Sequence, residues 1–217
     1  MYYIFGDIHG CLSNLLELFG RIKGNINDND KLIFLGDYVD RGNYSFEVIK
    51  FLININKSYD IVFLKGNHEE MFLKYIDGLD KTGIFFDNGG RATLKSYKKN
   101  CGEFRVPDEH LKFYRNLKSS FEGADFISVH AGFNPKVYNM EQQTEDDILW
   151  IREAFYRSER RWEKTVIFGH TPTGILGKRH GEVYFDDKKN IIGIDTGAVY
   201  GGVLTCLRWP DRKIFQS

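Results

Sequence analysis

The sequence predicts an α/β fold, a largely parallel sheet wrapped by helices, with short antiparallel strands near the C-terminus that form or complete a second sheet. Three observations predict it. Apolar runs at 2–5, 31–35 and 61–65 alternate with segments of helical periodicity, the strand–helix–strand–helix–strand order of a parallel sheet with right-handed crossovers. Each run ends in a glycine followed by Asp, Asn or His, and ligands in such sheets collect at the carboxyl ends of the strands. Beyond His170 the pattern changes to short strands at 183–185, 191–194, 203–207 and 213–215, joined by Asp/Lys/Asn and Gly-rich turns.

The first run leads into Gly6-Asp7-Ile8-His9-Gly10. Apolar residues at 15, 16, 18, 19 and 22 then predict a helix over 13–22, which breaks in the polar run 24–30. The second run carries Gly36-Asp37-Tyr38-Val39-Asp40-Arg41-Gly42, two carboxylates and an arginine where ordinary turn residues would do, and 46–55 is helical again. The third ends in Gly66-Asn67-His68-Glu69, with a helix over 69–76. Turn signals at Asp77-Gly78, Asp87-Asn88-Gly89-Gly90 and Asn100-Cys101-Gly102 mark 77–122 as an insertion beside the site. The run 126–129 resumes the sheet and delivers His130-Ala131-Gly132. A helix starts at Thr144 with acidic residues in its first turn and buries Ile148, Leu149, Ile151 and Phe155 on the way to Tyr156. Residues 166–168 lead into Gly169-His170-Thr171. Because the polar motifs run from Asp7 to His170, a single domain over 1–217 is expected.

Thirty basic and thirty acidic residues leave a formal charge of zero, which argues against nucleic acid or a membrane surface as partner. Cys11, Cys101 and Cys206 show no paired spacing and are read as reduced thiols. The chain enters a strand within two residues and has no apolar run of membrane-spanning length, so a soluble cytoplasmic protein is the expectation.

Four of the six histidines lie at strand ends, in company with Asp and Asn, as in a metal site built from strand termini. Asp7 and His9, two apart, would leave an extended chain on the same side. Asn67 and His68 are adjacent, so in extended chain only one of them could reach the same ion. The candidate ligands are Asp7, His9, Asp37, Asn67, His130 and His170, more than one tetrahedral ion needs. Six ligands suggest two divalent ions with Asp37 as the bridge, and the mixed donor set suits Mn, Fe or Zn. Paired ions lower the pKa of bound water from about 15.7 to about 7. Two such ions, two aspartates and a hydroxide sum to a positive charge, and Arg41 adds to it, so the pocket should attract a phosphate dianion. The reaction class implied is metal-assisted hydrolysis of a phosphate ester.

In this order the five motifs resemble those of the phosphoprotein phosphatase family within the calcineurin-like metallophosphoesterases, above all the small bacterial and phage serine/threonine phosphatases. Ile148-Leu149-Trp150-Ile151-Arg152 is similar to the segment that supplies a second phosphate arginine there. The resemblance implies a two-sheet β-sandwich flanked by helices, with a dinuclear metal site, most often manganese, at the strand ends. It implies Asp7 and His9 on the first metal, Asp37 as bridge, and Asn67, His130 and His170 on the second. His68 would be the general acid, hydrogen-bonded to Asp40, with Arg41 and Arg152 on the phosphate and direct attack by hydroxide. The expected substrate is a phosphoprotein. The alternative is a dinucleoside tetraphosphate, because bacterial tetraphosphatases share the motifs and a tail like Asp195-Thr196-Gly197 with 201–209.

Other residues carry plainer expectations. Glu69 reads as a first-turn helix acid, His110 and His180 as solvent-facing, and 195–198 as a structural turn near the site. Tyr200 is expected to line the substrate pocket, and Asn88-Gly89-Gly90 and Arg91 simply to turn the chain.

Overall fold

The computed structural model describes residues 1–217 and contains two five-stranded mixed sheets, each covered by helices on its outer face. In the first sheet β1 (Tyr2–Phe5), β2 (Lys31–Phe34) and β3 (Asp60–Phe63) run parallel. Their crossovers are α1 (Leu12–Ile22) and α2 (Ser45–Ile55), and α3 (Asn67–Ile76) follows β3. The inserted segment holds α4 (Ile84–Asp87), α5 (Gly90–Cys101) and α6 (Asp108–Arg115), with α5 and α6 packed on α2 and α4 on α3. The second sheet begins with β4 (Ser120–Glu122), antiparallel to β5 (Phe126–Val129). After α7 (Glu145–Trp150) and α8 (Glu153–Tyr156) come β6 (Thr165–Phe168), β7 (Tyr184–Asp186) and β8 (Ile191–Gly193). Then β9 (Thr205–Trp209) and β10 (Lys213–Gln216) close the chain.

Strand periodicity explains the layers. Side chains alternate across a strand, so Ile4, Ile33 and Leu207 of the first sheet meet Phe126, Ile167 and Ile192 of the second in one buried cluster between the sheets. Their neighbours Tyr3, Phe5, Leu32 and Phe34 face the other way, onto Leu15, Leu18 and Phe19 of α1 and Val48, Ile49 and Leu52 of α2. On the far side Val129, Val166, Phe168 and Ile191 pack against Phe155, Tyr156 and Trp162. Both faces of each sheet are thereby covered, as strands with near-continuous apolar runs require.

Four sequence expectations need correction. The run 126–129 does not resume the first sheet; it founds the second, parallel to β6. The tail strands are divided between the sheets: β8 runs parallel to β6 and pairs antiparallel with β7, whereas β9 lies antiparallel to β1 with β10 outside it. Pairing of Tyr2 with Trp209 joins residues that local periodicity cannot connect. The helix from Thr144 has the expected cap, with Thr144 Oγ1 accepting from Asp147 N, but the chain is extended at Ile151 (ψ 141°) and restarts as α8. Ile148 and Ile151 are only half-buried. His110 is fully buried, its Nδ1 2.8 Å from the Tyr97 hydroxyl, although His180 is exposed as expected. No helix is long and apolar enough to cross a membrane.

Candidate metal centre

Parallel strands β1 and β2 of one sheet and β5 and β6 of the other end at the same edge of the sandwich, and every motif follows one of these ends or the end of β3. The backbone there is unusual. Seven non-glycine residues have positive φ, and five of them are His9 (45°), Asp37 (51°), Asp40 (69°), Arg41 (66°) and His170 (62°). Such conformations are sparsely populated for ordinary residues and persist only where surrounding bonds hold them. The extended spacing assumed for Asp7 and His9 therefore does not apply; a tight turn aims His9. Asn67 and His68 are likewise in the first turn of α3, not in extended chain.

Glu69 supplies much of the holding. It is a first-turn helix acid, and it is also fully buried, accepting hydrogen bonds from the backbone N–H groups of Asp37 (2.8 Å), Tyr38 (2.8 Å), Val39 (3.3 Å) and Gly66 (3.0 Å). One carboxylate thus ties the β2 loop to the start of α3. Close approach at this point also demands glycine: a Cβ on Gly66 would lie 2.1 Å from Asp37 Oδ1. Burial, with Asp37 nearby, pushes the Glu69 carboxyl up to about 8, against the pull of its backbone donors.

The six proposed ligands converge, and all are buried. Donor atoms of His9, Asp37 and His68 lie within 4.8 Å of one another, and so do those of Asp37, His130 and His170. The two triads share Asp37. Asn67 Oδ1 stands between His130 Nε2 (3.0 Å) and His170 Nδ1 (2.9 Å). Asp7 stands outside both triads; its Oδ2 accepts from the His170 backbone N–H at 2.9 Å, and its Oδ1 is buried without a partner.

The donor set fits cations on grounds of hydrogen bonding alone. A carbonyl can only accept, so His9 Nδ1, 2.9 Å from Val39 O, and His130 Nδ1, 2.9 Å from Leu35 O, must donate. Burial lowers the pKa of both rings below the usual histidine value, leaving each a neutral imidazole with a lone pair on Nε2. Those lone pairs face oxygens of Asp37 at 3.4 Å. Acceptors set against acceptors in a buried pocket repel unless a cation lies among them. At His9 the Arg41 guanidinium does this, donating to Nε2 at 2.6 Å. His170 Nε2 and His68 Nε2 are buried without partners. Asp7 is pushed well up by burial and by the charges of Asp195 and Asp37, a further sign of uncompensated negative charge.

His68 and Asp40 form a pair, with Nδ1 2.7 Å from Oδ2. The other Asp40 oxygen accepts from Thr93 Oγ1 at 2.6 Å, and Thr93 and Ser45 hydroxyls meet the Asp40 backbone N–H. Burial raises the Asp40 carboxyl and these partners counter it. Thr93 sits on α5, so the inserted segment touches the site directly. Its Gly89 does so too, accepting from Arg41 N at 3.3 Å, so that turn seats Arg41 as well as reversing the chain. Arg91 lies over the Phe86 ring, 4.9 Å from its centroid.

Arg152 donates to the His170 carbonyl at 3.1 Å, and Arg41 and Arg152 line one open cleft of about 480 Å³ with His170, Ile175 and Tyr200. Tyr200 borders this cleft. Three residues with direct contacts here escaped the sequence reading or were undervalued by it: Thr93, Ser45 and Glu69. Glu69 had a local signal in its motif; Thr93, fifty-three positions from Asp40, had none.

Residues 2–201 match the family model for calcineurin-like phosphoesterases. Among curated proteins, an Anoxybacillus flavithermus protein named bis(5'-nucleosyl)-tetraphosphatase PrpE (asymmetrical) is 27% identical, the match covering 98% of this chain and 92% of its own length. A Vibrio parahaemolyticus protein named bis(5'-nucleosyl)-tetraphosphatase, symmetrical, is 28% identical over 99% of this chain and 97% of its own. Among solved structures, a provisionally assigned diadenosine tetraphosphatase superposes with a TM-score of 0.75 at 23% identity, covering 100% and 92% of the two chains. A cold-active protein-tyrosine phosphatase of a Shewanella species gives 0.66 at 17% identity, covering 99% and 79%.

Proposed function

Because the chain belongs to the calcineurin-like phosphoesterase family, we propose that it is a metal-dependent hydrolase of dinucleoside tetraphosphates. The observation that carries the substrate is the full-length similarity to proteins named bis(5'-nucleosyl)-tetraphosphatases, asymmetrical and symmetrical alike. It favours the alternative drawn from the tail at 195–209 over the phosphoprotein reading. The protein phosphatases among the structural neighbours are too distant in sequence to speak for more than a shared fold.

In this reading Asp7 and His9 would hold one divalent ion and Asn67, His130 and His170 a second, with Asp37 shared between the two, and manganese is favoured over iron or zinc. Bound there, the ions would polarise the phosphoryl oxygens and make water a nucleophile near neutral pH. Arg41 and Arg152 bind the phosphate oxygens through their guanidinium forks. Arg41 donates to His9 Nε2 in the structure, and engaging phosphate would require the guanidinium to leave that nitrogen, whose lone pair would then be free for a cation. With a proton on each ring nitrogen, His68 would give the one on Nε2 to the leaving oxygen as the P–O bond breaks, while the oxygen of a water that has lost one proton to solvent bonds to phosphorus. Asp40 accepts from His68 Nδ1, holding the ring in the orientation that turns Nε2 toward Asp37, 3.9 Å from its Oδ2.

A panel of diadenosine tetraphosphate, phosphopeptides and para-nitrophenyl phosphate, run on one preparation of measured metal content, tests the proposal. Diadenosine tetraphosphate should show the highest kcat/KM. A higher value for a phosphopeptide overturns the reading and restores the phosphoprotein one.

A further inference from the structure

The cleft that His170 shares with Arg41 and Arg152 is bordered in a way that hydrolysis of a bare phosphate does not require. Tyr200 is 57% exposed and Ile175 61% exposed, among the most exposed large apolar side chains of the chain, and both border the cleft that contains Arg41 and Arg152. Scattered exposed apolar residues are ordinary. Two of them facing the same phosphate-binding arginines form a patch that water covers poorly and a flat apolar group covers well.

The local backbone holds Tyr200 out. It closes a single turn, Ala198–Tyr200, set between Gly197 (φ 74°) and Gly201 (φ 83°), both left-handed, and Gly202 N donates to Gly197 O at 2.9 Å. Thr196 Oγ1 donates to Val203 O at 2.6 Å across the base of the same loop. The ring is thus presented by a closed, bonded loop. The Arg41 guanidinium carbon lies 5.5 Å from the ring centroid, within range for a cation–π contact, so the aromatic surface begins where the phosphate-binding group ends.

We propose that the Tyr200 ring, with Ile175 bordering the same cleft, is a nucleoside subsite: the base of a nucleotide stacks on Tyr200 while its phosphates lie on Arg41 and Arg152. The proposal rests on the nucleotide reading above and names the residue that would recognise the nucleoside. A phosphoserine side chain has no planar group to offer this surface, so Tyr200 is also the residue that would separate the two substrate classes. Base stacking on an aromatic side chain is sequence-tolerant because every base has a π-face, so discrimination among bases should be weak.

Calorimetric binding of ADP and of pyrophosphate to the metal-loaded protein tests this without relying on turnover. Both ligands engage the arginines, and only ADP carries a nucleoside. ADP should bind about tenfold more tightly than pyrophosphate, within the range measured for single stacking contacts. Tyr200→Ala should abolish that advantage and leave pyrophosphate affinity unchanged, whereas Tyr200→Phe should retain it. Equal affinity of ADP and pyrophosphate for the wild-type protein overturns the subsite. So does an ADP advantage that survives Tyr200→Ala, or a Tyr200→Ala loss shared equally by pyrophosphate, which would mark Tyr200 as a support for Arg41 alone. Turnover of diadenosine tetraphosphate by the wild-type protein, measured in parallel, tests the parent reading separately.

Discussion

His68 Nδ1 lies 2.7 Å from Asp40 Oδ2, and both side chains are buried beside Asp37. The His68 imidazole is one of three groups, with His9 and Asp37, whose donor atoms cluster within 4.8 Å, so geometry alone allows it to be a ligand in the place given to Asp7. Its bond to Asp40 instead suits a proton donor, because an ionised carboxylate on Nδ1 keeps that nitrogen protonated and turns Nε2 toward the metal centre.

His68→Asn separates these roles. As a general acid, His68 contributes to the barrier and not to metal affinity, so the variant should lose roughly 10²–10⁴-fold in kcat and keep its full metal complement. Elemental analysis beside steady-state kinetics reads both quantities. A metal content reduced by half would make His68 a ligand and move Asp7 to a supporting position.

Thr93→Val tests how far the inserted segment shapes catalysis. The substitution keeps the volume but deletes the hydroxyl that donates to Asp40 Oδ1 and meets its backbone N–H. A buried carboxylate short of one donor costs about 1–3 kcal/mol, so the denaturant midpoint should fall accordingly. Activity should drop about tenfold through kcat, with KM and metal content steady, and Thr93→Ser should restore most of both. Loss of stability without loss of kcat would show that α5 only braces the loop.

Chelation followed by titration with Mn2+ addresses the bridge. Activity should vanish on chelation and return as two equivalents bind, with a rise in Tm because the ions relieve the acceptor-against-acceptor contacts around Asp37. Asp37→Ala should bind neither ion tightly; His170→Ala should keep one. Retention of two ions by Asp37→Ala would contradict a shared ligand.

The sequence carried the strand ends well and the distant pairings poorly, for a physical reason. Runs such as 32–35 and 166–168 are buried on both faces, and their abrupt passage into Gly-Asp or Gly-His is a local signal that survives in one dimension. The six candidate ligands at or near those ends, Asp7, His9, Asp37, Asn67, His130 and His170, are therefore legible as candidates in one dimension. The left-handed backbones are not, because positive φ at His9 or Arg41 is imposed by contacts from elsewhere, among them the bond from Arg41 N to Gly89 O. The same applies to β9, whose place beside β1 depends on a register between Tyr2 and Trp209 that no window spans. It applies to Thr93, whose meaning lies entirely in a residue fifty-three positions away. Tertiary context overrode local preference at each of these points.

His110, expected on the surface and found in the core, makes a prediction about stability. Burial lowers its pKa from 6.5 to about 4; Glu109 pulls it up and Lys50 pushes it down, and the rings of Phe46 and Tyr97 enclose it. Below pH 6.5 the unfolded chain takes up a proton that the folded protein refuses until about pH 4. Stability therefore rises with pH across this window and is lost as pH falls from about 6.5 toward 4, by about 2 kcal/mol at pH 5. Other carboxylates titrate in the same region, so the test is a difference. His110→Phe removes the proton site but keeps a ring, at a cost of about 1 kcal/mol for the lost bond to Tyr97, whose hydroxyl still has Tyr114 as partner. Urea midpoints should then show the variant less stable than wild type at pH 7.5 and as stable or more so at pH 5. Parallel acid dependence of the two proteins would mean that His110 takes up its proton in the folded state without penalty, and that its burial does not govern its titration.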